Sequence, residues 1–175
     1  MTKRIYRPST MPEHEASLKR FIEFFNKTEP LDIIMRKWSV ETYKSDGVIS
    51  YKNINIVFDW EKRDDWSVED RCRFHYETLG QFERKFEPSK GIELTIQCDR
   101  NEKCFVVAWH SDFGPPHVIS RKTNFGWKER GKMRETTKFK TYSYSEIKNF
   151  KFALKYALEN NVKDYRMFSK GGTAL

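Results

Sequence analysis

Apolar positions recur at three- and four-residue intervals in some stretches of the chain and alternate in others, and that change of period lays out its elements. Leu18, Phe21, Ile22 and Phe25 form one apolar stripe, which predicts a helix over 12–27. Pro12 suits its first turn, Glu13 and Glu15 suit its positive end, and Pro30 stops it. Residues 31–43 hold Leu31, Ile33, Ile34, Met35, Trp38 and Val40, which fit a buried helical turn or a strand; a strand is favoured from Trp38 onward. Residues 44–62 read as a β-hairpin, with clear alternation from Asn53 to Glu61. Val68, Cys72, His75, Leu79, Phe82 and Phe86 then repeat at three and four, which predicts a long helix over 67–87, capped by Ser67 with Asp70 and ended by Pro88.

A second hairpin follows. Ile92, Leu94, Ile96 and Cys98 alternate on one arm, and 104–109 is an almost unbroken apolar run, as expected of a strand buried on both faces. Asp99 to Lys103 supplies the turn. Gly114-Pro115-Pro116 breaks regular structure, and 114–142 reads as a basic, loop-rich segment without a period. A last helix is expected over 146–159, capped by Ser145, with Ile147, Phe150, Leu154 and Ala157 inward. The sum is a single α/β (α+β) domain over 1–175, a small mixed sheet flanked by helices in the order helix, strands, helix, strands, helix.

Composition adds a partner. The chain's 14 Phe, 8 Tyr and 5 Trp can build a core, so it should fold. Its 33 Lys+Arg against 25 Asp+Glu leave a net charge of +8, which favours a polyanion. Much of that excess lies in 121–140, where eight basic residues face two acidic ones. Arg121, Lys122, Lys128, Arg130, Lys132, Arg134 and Lys138 are candidates to neutralise phosphates, and Trp127, with Phe125 and Phe139, to stack on unpaired bases. The plain alternative is a solvated basic loop. Three cysteines without a C-x-x-C pair argue against a disulfide framework or zinc ribbon, and for reduced thiols in a reducing compartment. No apolar run approaches the roughly 20 residues of a membrane span, and the basic N-terminus lacks a signal peptide's apolar stretch. These features place the protein in the cytoplasm, with no membrane partner and a homodimer compatible.

The chemistry concentrates in 44–62. If Lys52-Asn53 is a two-residue turn, Asp46 lies opposite Asp59 and Lys44 opposite Glu61. Period two then puts Asp46, Asp59 and Glu61 on one face, and Ile49, Tyr51, Ile54, Ile56, Phe58 and Trp60 on the other. Directly opposed carboxylates repel, so a cation, a nearby Lys or Arg, or a proton must compensate. A hard divalent ion such as Mg²⁺ (or Mn²⁺) takes one or two carboxylates and completes its shell with phosphate oxygens. The structural alternative is an exposed strand face kept soluble by acids. Elsewhere, His110-x-Asp112 reads as a strand-end polar pair, His75 as a core or boundary histidine, and Glu93-x-Thr95-x-Gln97 as a polar strand face that could line a groove.

Asp46-Gly47, followed after a spacer by Asp59-x-Glu61, resembles the PD-(D/E)XK (restriction-endonuclease-like) nuclease superfamily over about 20 residues of motif and the order of elements around it. The resemblance implies a restriction-endonuclease-like core and Mg²⁺-dependent hydrolysis of phosphodiester bonds. Asp46, Asp59 and Glu61 would hold the metal, and Glu61 would stand where the family's lysine usually does. Lys44 or Lys62 would then assist, Lys44 being the better placed; Glu13, Glu15 or Glu23 of the first helix could add a ligand. The partner implied is nucleic acid, DNA before RNA. A non-catalytic DNA- or RNA-binding module, or a basic protein-interaction protein on the same scaffold, is the alternative.

Overall fold

The structure, a computed structural model, describes residues 11–38, 46–68 and 71–170. Helix α1 (Met11–Lys27) forms where the apolar stripe predicts it, and Leu18, Phe21 and Phe25 are fully buried. Strands β1 (Ile33–Lys37), β2 (Asp46–Tyr51), β3 (Ile54–Lys62), β5 (Ile92–Cys98), β6 (Cys104–Trp109) and β9 (Lys140–Ser143) build a six-stranded sheet in the order β1-β2-β3-β5-β6-β9. Only β3 and β5 run parallel; the other neighbours are antiparallel. Strand β4 (Leu79–Phe82), β7 (His117–Thr123) and β8 (Gly126–Thr136) form a second, three-stranded sheet in the order β4-β8-β7. The chain is thus a mixed α+β fold, as its pattern predicts. Among the described residues, no helix is long and apolar enough to cross a membrane.

Period two along the strands divides the interior into two cores. One face of the large sheet, with Ile49, Phe58, Trp60, Ile96 and Phe105, packs beneath α1 and α2 (Ile147–Asn160). The other face gives Val106 and Ala108 to a second cluster with Trp66, Phe74, Leu79 and Phe113. Strand β6 is therefore buried on both faces, as its continuous apolar run requires. The α1 C-terminus is closed by Lys151 of α2, whose buried ammonium donates to the Phe25 and Thr28 carbonyls at 2.8 and 2.5 Å. Asn26 holds edge strand β1 by a reciprocal amide pair with the Met35 backbone, both bonds 2.8 Å.

Several sequence expectations fail in instructive ways. The strand of 31–43 is Ile33–Lys37, earlier than expected, and 39–45 lie outside the described residues. Within 67–87, the described residues form no α-helix: an irregular segment leads into β4 and a short 3₁₀ turn, Glu83–Phe86. Its spaced apolar residues are anchors dropped one by one onto the second core, Val68, Phe74 and Leu79 among them. The same path brings Cys72 over β6, where a disulfide joins it to Cys104, with Cα atoms 5.6 Å apart; only Cys98 is free. The inference to a reducing compartment thus loses the thiols that carried it. Segment 114–142 is mostly strand; β7 and the outer part of β8 are largely exposed on both faces and therefore show no apolar period. Ahead of the last helix, Ser143, not Ser145, makes the capping box, with Glu146.

The β2–β3 hairpin has the expected register. Tyr51 pairs with Ile54, Ile49 with Ile56 and Asp46 with Asp59, and Lys52 takes the left-handed conformation at φ 54°. Of the expected core face, Ile54 alone is exposed, at 38%, beside the turn. Gly47 lies opposite Phe58, whose ring occupies its missing side chain's place; a Cβ there would stand 2.2 Å from Phe58 Cζ. Gly47→Ala should therefore destabilise the fold by about 1–3 kcal/mol, the usual cost of overpacking. Denaturant unfolding checks this, with partial recovery expected in the double variant carrying Phe58→Leu; an unchanged midpoint for Gly47→Ala would contradict the packing.

Candidate active site

Asp46 and Asp59 are 2% and 3% exposed, directly opposed on β2 and β3, on the sheet face turned from the helices. Two buried like charges at this spacing must be neutralised. The second sheet supplies most of the answer. Lys85, in the turn after β4, places Nζ 2.9 Å from Asp59 Oδ1, and Gln81 of β4 donates from Nε2 to Asp59 Oδ2 at 2.8 Å. Asp46 lies directly opposite Asp59, and its pKa is pushed up to about 8, by burial first and then by the Asp59 charge. Asp46 is therefore the carboxyl that holds a proton at neutral pH. Burial lowers the Lys85 pKa, but Asp59 and Asp46 outweigh it and leave it raised.

The neighbouring polar groups form a chain leading away from Asp59. Gln81 Nε2 also approaches Thr95 Oγ1 at 3.4 Å, and Thr95 Oγ1 is 2.7 Å from His110 Nε2. The His110 ring lies against Phe86, with centroids 4.4 Å apart, and burial lowers its pKa to about 4, so it is neutral near pH 7. Gln97, two residues along β5 from Thr95, accepts from Arg63 Nη1 at 3.1 Å. The alternating polar residues of β5 thus line the buried floor beside the carboxylates; Glu93, the third, pairs outward with Lys163. Sequence reasoning missed Lys85 and Gln81. Their register to Asp59 is set by β4, in a stretch whose period read as a helix.

The remaining candidates divide clearly. Glu61 is half-buried on the Asp59 face, its pKa raised to about 7 by burial, and no described residue forms an ion pair with it. Among the described residues, no group of three or more His, Cys, Asp or Glu gathers as a metal site. Lys62 points to the opposite face, 3.7 Å from Glu102. Lys44 lies outside the described residues. Glu13, Glu15 and Glu23 sit on α1, across the sheet from the site, and Glu15 faces Lys37 instead. His75 is exposed in the irregular segment.

The residues present suit a hard divalent ion held by two carboxylates. Asp46 Oδ1 is buried with no hydrogen-bond partner among the described residues, an oxygen lacking the compensation Asp59 has. Mg²⁺ needs no more than one or two protein carboxylates when substrate and water complete its shell.

Of the basic candidates, Lys122, Lys128, Lys132 and Lys138 are exposed. Trp127 is 68% exposed and Phe125 fully so. Arg134 is instead bound to Glu83 through both ends of its guanidinium, at 2.5 and 2.9 Å, and stacks over Phe86. It braces the Lys85 turn. The side chains of Arg121 and Arg130 lie outside the described residues. Comparison with known proteins finds no matching family model, curated protein or solved structure.

The Asp46 proton has a measurable consequence in metal-free buffer. A carboxyl whose folded pKa is raised stabilises the fold below its unfolded value near 3.8, and that contribution is lost as pH rises through about 8. Between about pH 4 and 8 wild-type protein should lose stability relative to Asp46→Asn, groups common to both proteins cancelling in the difference. The variant should be the more stable at pH 9 by on the order of a few kcal/mol, each unit of displacement being worth about 1.4 kcal/mol. Parallel stability curves for the two proteins would mean Asp46 is ionised in the fold.

Proposed function

We propose that this protein is a Mg²⁺- or Mn²⁺-dependent nuclease that hydrolyses phosphodiester bonds in DNA, on a restriction-endonuclease-like core. The observation that carries the reading is the buried Asp46–Asp59 pair, with one carboxylate oxygen unpartnered and a lysine at its edge. Asp46 and Asp59 would hold the metal, which would polarise a scissile phosphate and lower the pKa of an attacking water. Gln81 keeps Asp59 oriented. Lys85, the counter-ion of Asp59 in metal-free protein, would turn to the phosphate and stabilise the charge that develops there. It takes the role expected of Lys44 or Lys62. Glu61, beside the pair on the same face, can accept hydrogen bonds from water in the site. The exposed lysines of β7 and β8 would hold the backbone.

One observation favours a second reading, a non-catalytic nucleic-acid-binding module. Both oxygens of Asp59 already have protein partners, so that carboxylate is compensated without metal.

Asp59→Asn should cut Mg²⁺-dependent cleavage at least 100-fold, and Lys85→Met about 10- to 100-fold, with nucleic-acid affinity retained in both. Saturating metal should raise the wild-type melting temperature but not that of Asp59→Asn, since a ligand at 100 times its Kd stabilises by about 2.7 kcal/mol. No cleavage of duplex, single-stranded or branched DNA and no metal-induced shift would leave the binding-module reading.

Salt titration addresses the grip. Replacing Lys122, Lys128 and Lys132 by Ala should reduce the salt slope of duplex binding by about 0.9 for each phosphate no longer neutralised. Arg134→Ala should act mainly on thermal stability, by breaking its pairing with Glu83. An unchanged slope in the triple-lysine variant would place those lysines off the interface.

A further inference from the structure

The β7–β8 hairpin changes character along its length. At its root β8 is flanked on both sides, since Met133 pairs with both Phe82 and His117. Beyond Met133, β8 pairs with β7 alone, through Val118↔Lys132, Ser120↔Glu129 and Lys122↔Trp127 to Thr123↔Gly126. This distal part is a two-stranded ribbon reaching about 20 Å past the sheet, at about 3.4 Å per residue. Its side chains are mostly exposed, and such a ribbon is marginal in water without something to pack against.

The tip is ordered locally and apolar. Thr123 Oγ1 donates to the Gly126 carbonyl at 2.8 Å and accepts from the Phe125 N–H at 3.2 Å, while Gly126 takes φ 108°. This turn holds Phe125 out at 102% relative exposure, with Trp127 just behind it. Lys122, paired opposite Trp127, and Lys128, next to Trp127 along β8, are exposed. A fully exposed phenylalanine on a pinned turn, between lysines, fits a partner that offers flat apolar faces within a field of negative charge. Unpaired bases on a phosphate backbone have that chemistry, whereas an intact duplex hides its base faces.

We propose that the β7–β8 tip stacks Phe125 on unpaired bases, so that the protein selects single-stranded or gapped nucleic acid over continuous duplex. The inference rests on the nucleic-acid reading above and gives it a substrate class. The ribbon's lysines serve any strand; the tip serves only one whose bases are open.

Fluorescence anisotropy in EDTA tests this without cleavage. The probes are labelled DNAs of equal length: a single strand, a perfect duplex, and a duplex with a central gap. Phe125→Ala should weaken single-strand and gap binding about tenfold and duplex binding less than twofold. Its salt slope should not change, because every phosphate keeps its lysine. The exposed position leaves the melting temperature unaltered. Single strand should also quench tryptophan emission in wild-type protein and not in Trp127→Phe. Equal weakening on all three probes, or none, would overturn the proposal and leave the nucleic-acid reading intact. So would Phe125-dependent co-sedimentation with phosphatidylserine vesicles in place of the DNA effect. Failure of wild-type protein to bind any probe would overturn both.

Discussion

Two aspartates face each other across a pair of strands and are shut away from water. Almost everything near them follows from that conflict. A hydrophobic pair would bury cheaply at this position, whereas two carboxylates cost several kcal/mol each unless charge or hydrogen bonds return it. The second sheet brings that return: Gln81 from β4 and Lys85 from the turn beyond it converge on Asp59. The Glu83–Arg134 pair and the Phe86 stack brace that turn against β8. The balance is incomplete, since Asp46 retains a proton and an unpartnered oxygen.

The layering explains how one small chain could carry both the proposed chemistry and the proposed grip. Helices α1 and α2 seal one face of the six-stranded sheet, so polar work is confined to the other. On that face the irregular segment and β4 cover β5 and β6, and the carboxylates sit where β4 and the turn after it reach β3. The strand that supports β4 continues outward as the basic ribbon. Site and arm thus share β8 as a common beam.

Much of this is legible in the sequence wherever one face of an element is wet and the other dry. The hairpin register follows from a two-residue turn and strict alternation, which together place Asp46 opposite Asp59. Helix α1 and the inward set of α2 are equally plain. The rest is hidden for physical reasons. Val68, Cys72 and Leu79 mimic a helical stripe because an irregular chain that touches a core intermittently also leaves apolar residues three or four apart. A ribbon bathed on both sides has no hydrophobic period, so β7 and β8 read as loop. Lys85 escapes notice because its relation to Asp59 exists only through space, 26 positions away in the chain. Gly47 carries a different lesson: its place beside Asp46 matches a nuclease motif, yet the Phe58 ring alone requires it.

The central claim is that Asp46 and Asp59 are a metal site. Crystals grown at neutral pH and soaked in Mn²⁺ would show it directly, because anomalous scattering locates the ion independently of any reaction. The expected result is one strong peak at about 2.0–2.2 Å from an oxygen of each aspartate, with Lys85 Nζ displaced from Asp59. An empty site at saturating Mn²⁺, with the Lys85–Asp59 pair intact, would contradict it.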